Sequence, residues 1–150
     1  VAWICASPEH AVMYERLKES LDLQCNEFAQ LQVVEYMKNY DVEGHIRKIQ
    51  AAYKEKCDLM LSLMEENFPA SVKFTRPEGG MFIWVELPEG LDADGILDEA
   101  VEAGVAYIPG EFFYANDGAK NTMRLNFTTV SEEQIRKGIV LLADVLKKHA

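Results

Sequence analysis

Arg124 is the residue of this sequence whose type and position best suit it to bind a ligand. It lies in residues 123–128, where Met123, Leu125 and Phe127 are apolar and the residues between them are polar. Because side chains along a β-strand point alternately to opposite faces, this run predicts a strand with Arg124 on its polar face. A guanidinium on a strand can hold a carboxylate by two charge-assisted hydrogen bonds. On the pattern alone, an exposed arginine paired with a surface acid is the favoured interpretation.

Other residue types in the sequence argue against several classes of function. The three histidines share no ligand spacing, so no metal site is expected. The three cysteines are odd in number and far apart, which fits neither a disulfide framework nor a zinc cluster and favours a reducing cytoplasm. A net charge of −10 argues against a nucleic-acid surface. No apolar run approaches the ~20 residues that a membrane span needs.

The first part of the chain has the periodicity and the capping residues of helices. Residues 1–4 predict a short strand, and Ser7 followed by proline predicts the start of a first helix. Asn26 predicts the N-cap of a second helix, and Asp41 that of a third and longer one. The third helix is expected to end at Pro69, because proline cannot continue a helix.

Beyond Pro69 the pattern alternates between strands and helices. Strands are predicted at residues 72–75, 81–87, 105–108 and 123–128. Helices are predicted after Asp92 and after Ser131, which forms a capping box with Gln134. The sequence therefore predicts an α/β fold with an α+β small domain: N-terminal helices with one long joining helix, then a small sheet packed by helices. The predicted domains are residues 1–69 and 70–150.

Three motifs in this sequence resemble those of a known enzyme family. They are EGGMFIW at residues 78–84, GVAYIPG at 104–110 followed by Phe112, and MRLNF at 123–127. In order and spacing they resemble successive motifs in the small domain of class I/II (fold type I) pyridoxal-phosphate-dependent aminotransferases. Residues 1–4 resemble the strand that follows the Schiff-base lysine loop of that family, with Ala2 where the family often has glycine. The resemblance covers essentially the whole chain.

The resemblance implies a transaminase that moves an amino group between an amino acid and a 2-oxo acid, with pyridoxal 5'-phosphate as cofactor. Its parent would be a homodimer. The family's arginine in this strand binds the substrate α-carboxylate, and that role carries over to Arg124. Asn26 lies where related enzymes pass near the partner's active site, although N-capping explains it equally well. Gly80 could let backbone approach the substrate, or could form a plain β-bulge.

The resemblance places the Schiff-base lysine and the rest of the cofactor site before Val1. No lysine of this chain has the sequence context of that motif. We therefore expect the chain to be the C-terminal portion of a larger enzyme, to bind no cofactor covalently and to be inactive alone.

Two other hypotheses fit the same residues. Some bacterial transcriptional regulators join a DNA-binding domain to an aminotransferase-like half, which would sense a ligand without turning it over. A stand-alone α/β interaction domain could also share the small-domain fold, because fold does not imply function.

Overall fold

The computed structural model describes residues 1–149 and divides into two compact units. The first is Val1–Arg47 and the second is Lys48–Ala150, so the division falls inside a helix. The predicted domain boundary between residues 69 and 70 stays a prediction. No helix within residues 1–149 is both long enough and apolar enough to cross a membrane.

The first unit consists of helices whose starts follow from the sequence. Helix α1 (Pro8–Leu21) begins at a proline, and α2 (Glu27–Asn39) is capped by Asn26, whose Oδ1 accepts a hydrogen bond from Ala29 N at 2.9 Å. Helix α3 (Val42–Asn67) begins in this unit. Residues 1–7 form neither helix nor strand. The strand predicted at residues 1–4 is therefore wrong for this structure, because a strand needs a neighbour to pair with.

The second unit contains a four-stranded sheet. Its strands are β1 (Lys73–Phe74), β2 (Phe82–Glu86), β3 (Ile108–Pro109) and β4 (Thr122–Asn126). The order is β1-β2-β4-β3, and each pairing is antiparallel. Strand β4 therefore lies between two neighbours, with Arg124 opposite Trp84 on β2 and opposite Ile108 on β3.

One face of this sheet forms the core. Ile83 and Val85 on β2, and Met123 and Leu125 on β4, are buried. They share one hydrophobic cluster with side chains of α3, α4 (Ala93–Glu102) and α5 (Glu132–Leu146). The predicted caps of α4 and α5 are present, including the capping box at Ser131. The small sheet packed by helices confirms the predicted fold class.

Candidate functional site

Arg124 lies on the sheet face opposite the core. Its neighbours Met123 and Leu125 are buried on the core side, whereas Arg124 itself is half-buried. This is the alternation that residues 123–128 predicted. Since β4 is paired on both sides, the backbone that carries the guanidinium is fixed by two ladders of hydrogen bonds.

Two phenylalanine rings contact the Arg124 guanidinium. Its central carbon lies 3.8 Å from the centroid of the Phe82 ring and 4.1 Å from that of the Phe113 ring. Phe82 on β2 pairs with Asn126, two residues after Arg124 on β4. Phe82 is therefore the diagonal cross-strand neighbour of Arg124, on the same face of the sheet. Phe113 comes from a 3₁₀ helix, Gly110–Phe113. A cation over aromatic faces is attracted by the ring quadrupoles, more strongly where water is partly excluded.

The Arg124 guanidinium pairs with no carboxylate among residues 1–149. The ion pairs of this part of the chain lie elsewhere, and the one that involves an arginine joins Arg76 to Glu65. No hydrogen bond from the Arg124 side chain occurs within the same residues either. A half-buried charge without a partner is unfavourable. The site therefore suits an anion supplied from outside these residues.

A small cavity of about 150 Å³ opens beside Arg124. Its lining residues come from β2, β4 and the segment around β3, and are Phe82, Ala106, Tyr107, Ile108, Arg124 and Asn126. This volume is well above the ~10–15 Å³ that a cavity needs to hold one water molecule, so a carboxylate group has room there.

Tyr107 fixes one wall of this cavity, a role that no pattern in the sequence indicates. Its hydroxyl donates a hydrogen bond to Ala93 O at 2.6 Å, and the side chain is buried. Burial raises the pKa of Tyr107 well above its usual value, and the carboxylates of Asp94 and Asp92 add to that rise. The hydroxyl therefore stays protonated, and remains a donor, even above the usual tyrosine pKa of about 10.

The turn after β4 is held by Asn126 and by a lysine of α3. Asn126 Oδ1 accepts hydrogen bonds from Thr128 N at 2.9 Å and Thr129 N at 3.0 Å. Lys56 Nζ donates to Thr128 O at 3.0 Å and to Val130 O at 2.6 Å. These bonds anchor the end of the strand that carries Arg124.

The structure does not place Gly80 in the cavity beside Arg124. Gly80 has φ +85°, a conformation that glycine adopts without strain, and lines a different cavity of about 580 Å³ with residues of α3 and Phe127. Asn26 lies in the first unit, where its side chain caps α2. The roles predicted for Gly80 and Asn26 near a substrate therefore stay predictions.

Lysines are absent from the lining of the Arg124 cavity within residues 1–149. The half-buried Lys56 is engaged with two backbone carbonyls, and most other lysines pair with exposed acids. The residues around Arg124 therefore do not fit the requirement for an amine that could bind an aldehyde cofactor. No cluster of three or more His, Cys, Asp or Glu residues suited to a metal ion occurs in the described part of the chain.

Comparisons with known proteins point to one enzyme family. The profile described as aminotransferase class I and II matches residues 1–142. Aromatic-amino-acid aminotransferase 1 of Thermococcus litoralis is 48% identical over 99% of this chain and 36% of its own length. The crystal structure of a multiple substrate aminotransferase from Thermococcus profundus superposes with a TM-score of 0.85 at 46% identity, over 95% of this chain and 36% of that one.

Two further likenesses bear on the cofactor and on the alternative hypotheses. LysN, an α-aminoadipate aminotransferase from Thermus thermophilus crystallised with N-(5'-phosphopyridoxyl)-L-leucine, has a TM-score of 0.82 and 37% identity, over 95% of this chain and 36% of that one. A helix-turn-helix-type transcriptional regulator of Escherichia coli (strain K12) is 27% identical over 99% of this chain and 32% of its own length. The chain thus spans about a third of the length of the relatives that it matches.

Proposed function

This chain belongs to the family of class I and II aminotransferases, and we propose that it supplies the substrate-carboxylate site of a pyridoxal-phosphate-dependent transaminase. In this proposal Arg124 binds the α-carboxylate of an amino acid or a 2-oxo acid. The observation that carries the proposal is the half-buried Arg124 guanidinium, which has no carboxylate partner within residues 1–149 and opens onto a small cavity.

Binding of a carboxylate at Arg124 would orient the substrate. The guanidinium presents its donors in a planar fork that matches the two oxygens of a carboxylate. The rings of Phe82 and Phe113 exclude part of the water around the guanidinium, and this strengthens the attraction between opposite charges. A substrate held at one end in this way loses rotational freedom before reaction, which is a large part of what a positioning residue contributes.

We assign the cofactor itself to the parts of the parent protein beyond this chain. The assignment is supported by the lack of a lysine around the Arg124 cavity within residues 1–149 and by the phosphopyridoxyl ligand of LysN. The names of the similar proteins, for aromatic, aminoadipate and multiple substrates, support amino acids and 2-oxo acids as the substrate class. A homodimeric parent, with Asn26 near the partner's active site, belongs to the same proposal.

Arg124→Gln in the complete protein that carries this segment tests the proposal. Removal of one partner of a desolvated charge pair costs about 2–5 kcal/mol, so kcat/KM for amino acids should fall roughly 30- to 4,000-fold. The matched control is Arg136→Gln, which removes the same charge from an exposed position on α5. Equal kinetics for the wild type and Arg124→Gln, with the control also unchanged, would show that Arg124 does not bind the carboxylate.

The likeness to a transcriptional regulator supports a second candidate, in which the same site senses an amino acid without converting it. The two candidates differ in turnover. A complete protein that binds an amino acid through Arg124 and transfers no amino group to any 2-oxo acid would be the sensor. Multiple turnovers would identify the enzyme.

A further inference from the structure

Phe113 occupies a position that core packing does not explain. Its side chain is 44% exposed, yet its ring lies 4.1 Å from the Arg124 guanidinium. The preceding residue, Phe112, has the same side chain and is 66% exposed, but it makes no aromatic or cation contact within residues 1–149. Of these two adjacent phenylalanines, the one that contacts Arg124 is Phe113.

The 3₁₀ helix that carries Phe113 lies directly against the sheet. Gly110, its first residue, is buried, and a Cβ there would overlap the Thr122 hydroxyl and approach the Trp84 ring to 2.8 Å. Only glycine allows so close an approach. Trp84 also supports Phe113 from the side, with ring centroids 5.9 Å apart and an angle of 72° between the ring planes. The location of Phe113 is therefore fixed by contacts with β4, the strand that carries Arg124, and with β2, its neighbour in the sheet.

Phe82 alone would leave the guanidinium free to turn away from the sheet. An arginine side chain has several rotatable bonds, and it loses that freedom when it binds a ligand. A second ring at 4.1 Å restricts the side chain in advance. Contact through the guanidinium carbon leaves the N–H groups, which lie in the guanidinium plane, available to donate to a carboxylate.

We propose that Phe113 is a positioning residue for Arg124 and determines how strongly the site prefers a carboxylate over a neutral group of the same shape. The inference rests on the proposed function, in which Arg124 is the carboxylate-binding residue. It adds Phe113, a partly exposed residue of the 3₁₀ helix, which touches Arg124 and acts through it.

The experiment compares two competitive inhibitors of the complete protein, phenylpropanoate and phenylpropanamide, which differ in charge and hardly in shape. The readout is the ratio of their inhibition constants. We expect Phe113→Leu to reduce the preference for the carboxylate roughly 2- to 30-fold, the range of one cation–π contact. Phe113→Tyr, which keeps the ring, should restore most of the preference. Phe112→Leu is the matched control and should leave it at the wild-type value.

The same experiment tests the role of Phe113 separately from that of Arg124. A wild-type protein that does not prefer phenylpropanoate over the amide overturns the role of Arg124 and the inference with it. A wild-type preference that Phe113→Leu leaves unchanged overturns the inference alone. A preference lost equally in Phe113→Leu and Phe112→Leu also overturns it, because the effect would then be general to the segment. In an Arg124→Gln background, Phe113→Leu should have no further effect on the ratio.

Discussion

Tyr107 shows how one hydroxyl can join two elements near the site. The residue precedes β3 and lines the Arg124 cavity, while its hydrogen bond goes to the first residue of α4. The acceptor, Ala93 O, is a backbone carbonyl fourteen residues earlier in the chain. The sequence predicted a strand at residues 105–108, whereas the observed β3 begins at Ile108, so Tyr107 lies just before it. The local sequence carries no information about which distant carbonyl the hydroxyl meets.

The raised pKa of Tyr107 makes a prediction about stability at high pH. The folded state disfavours the ionised phenol, and so its pKa lies above the value of about 10 expected in the unfolded chain. The stability that this group contributes is therefore complete below pH 10 and is lost progressively as the pH rises above 10. Thermal unfolding measured between pH 8 and roughly 11 should show this loss, and Tyr107→Phe should make it shallower.

The same variant should also be less stable at neutral pH. Tyr107→Phe removes the hydrogen bond from the hydroxyl to Ala93 O, and the loss of one such bond costs about 0.5–1.5 kcal/mol. Tyr40→Phe, at a position that is 65% exposed, controls for the loss of a hydroxyl as such. If the stability of the wild type and of Tyr107→Phe changed with pH in parallel, Tyr107 would not be the cause of the loss above pH 10.

At the scale of elements, the turn after β4 depends on a lysine of α3. Lys56 Nζ donates to the carbonyls of Thr128 and Val130 from a half-buried position. Lys56→Met keeps the apolar stem but removes both bonds, so we expect a loss of about 1.5–3 kcal/mol in the free energy of unfolding. Urea unfolding of the wild type and of Lys56→Met measures this difference in the free energy of unfolding.

Lys54→Met is the matched control, two residues away on the same helix. Lys54 pairs with Asp58 at 2.9 Å in an exposed position, and such pairs contribute about 0–1 kcal/mol. Equal losses in the two variants would mean that the bonds from Lys56 contribute no more than a surface ion pair.

Elements with strong local signals could be predicted from the sequence. The caps at Asn26, Asp92 and Ser131 are where the side-chain types placed them, because a cap is decided by neighbours within three residues. The alternation around Arg124 likewise gave the correct faces of β4. The strand predicted at residues 1–4 did not form, since a strand depends on a distant partner.

The candidate site was predictable only in part, for the same physical reason. Arg124 stood out by its type and alternation, whereas Phe113 and Tyr107 join the site through contacts across the fold. A 3₁₀ helix that bends back over the sheet leaves no periodic trace in the sequence. The one local signal for this 3₁₀ helix is Gly110, because its lack of a side chain permits the close approach to Thr122 and Trp84.

For the molecule as a whole, burial is distributed unevenly between the two units. None of residues 1–47 is buried, and large apolar side chains such as Trp3 at 87% and Leu23 at 77% are exposed. The buried cluster lies entirely in the second unit and starts at Cys57. A unit that buries so little apolar surface has little to offset its loss of conformational entropy. The relatives, about three times longer, have further chain that could cover such a surface.

We proposed that the cofactor lysine lies outside this chain, and its position in the complete protein can be mapped directly. We expect incubation with pyridoxal 5'-phosphate followed by borohydride reduction to label one lysine stoichiometrically, in a peptide outside this chain. The physical reason is that the Arg124 cavity is lined by no lysine within residues 1–149, while Lys56, the half-buried one near the turn after β4, is hydrogen-bonded to two carbonyls.

Mass spectrometry of the reduced and digested protein identifies the labelled peptide. The 150-residue chain treated in the same way is the comparison, and its lysines should take up label only weakly and at several exposed positions. Stoichiometric labelling of a single lysine within this chain would contradict the proposal, because the cofactor and Arg124 would then have to be held by the same segment. Labelling outside it would leave this chain as the part of the site that positions the substrate.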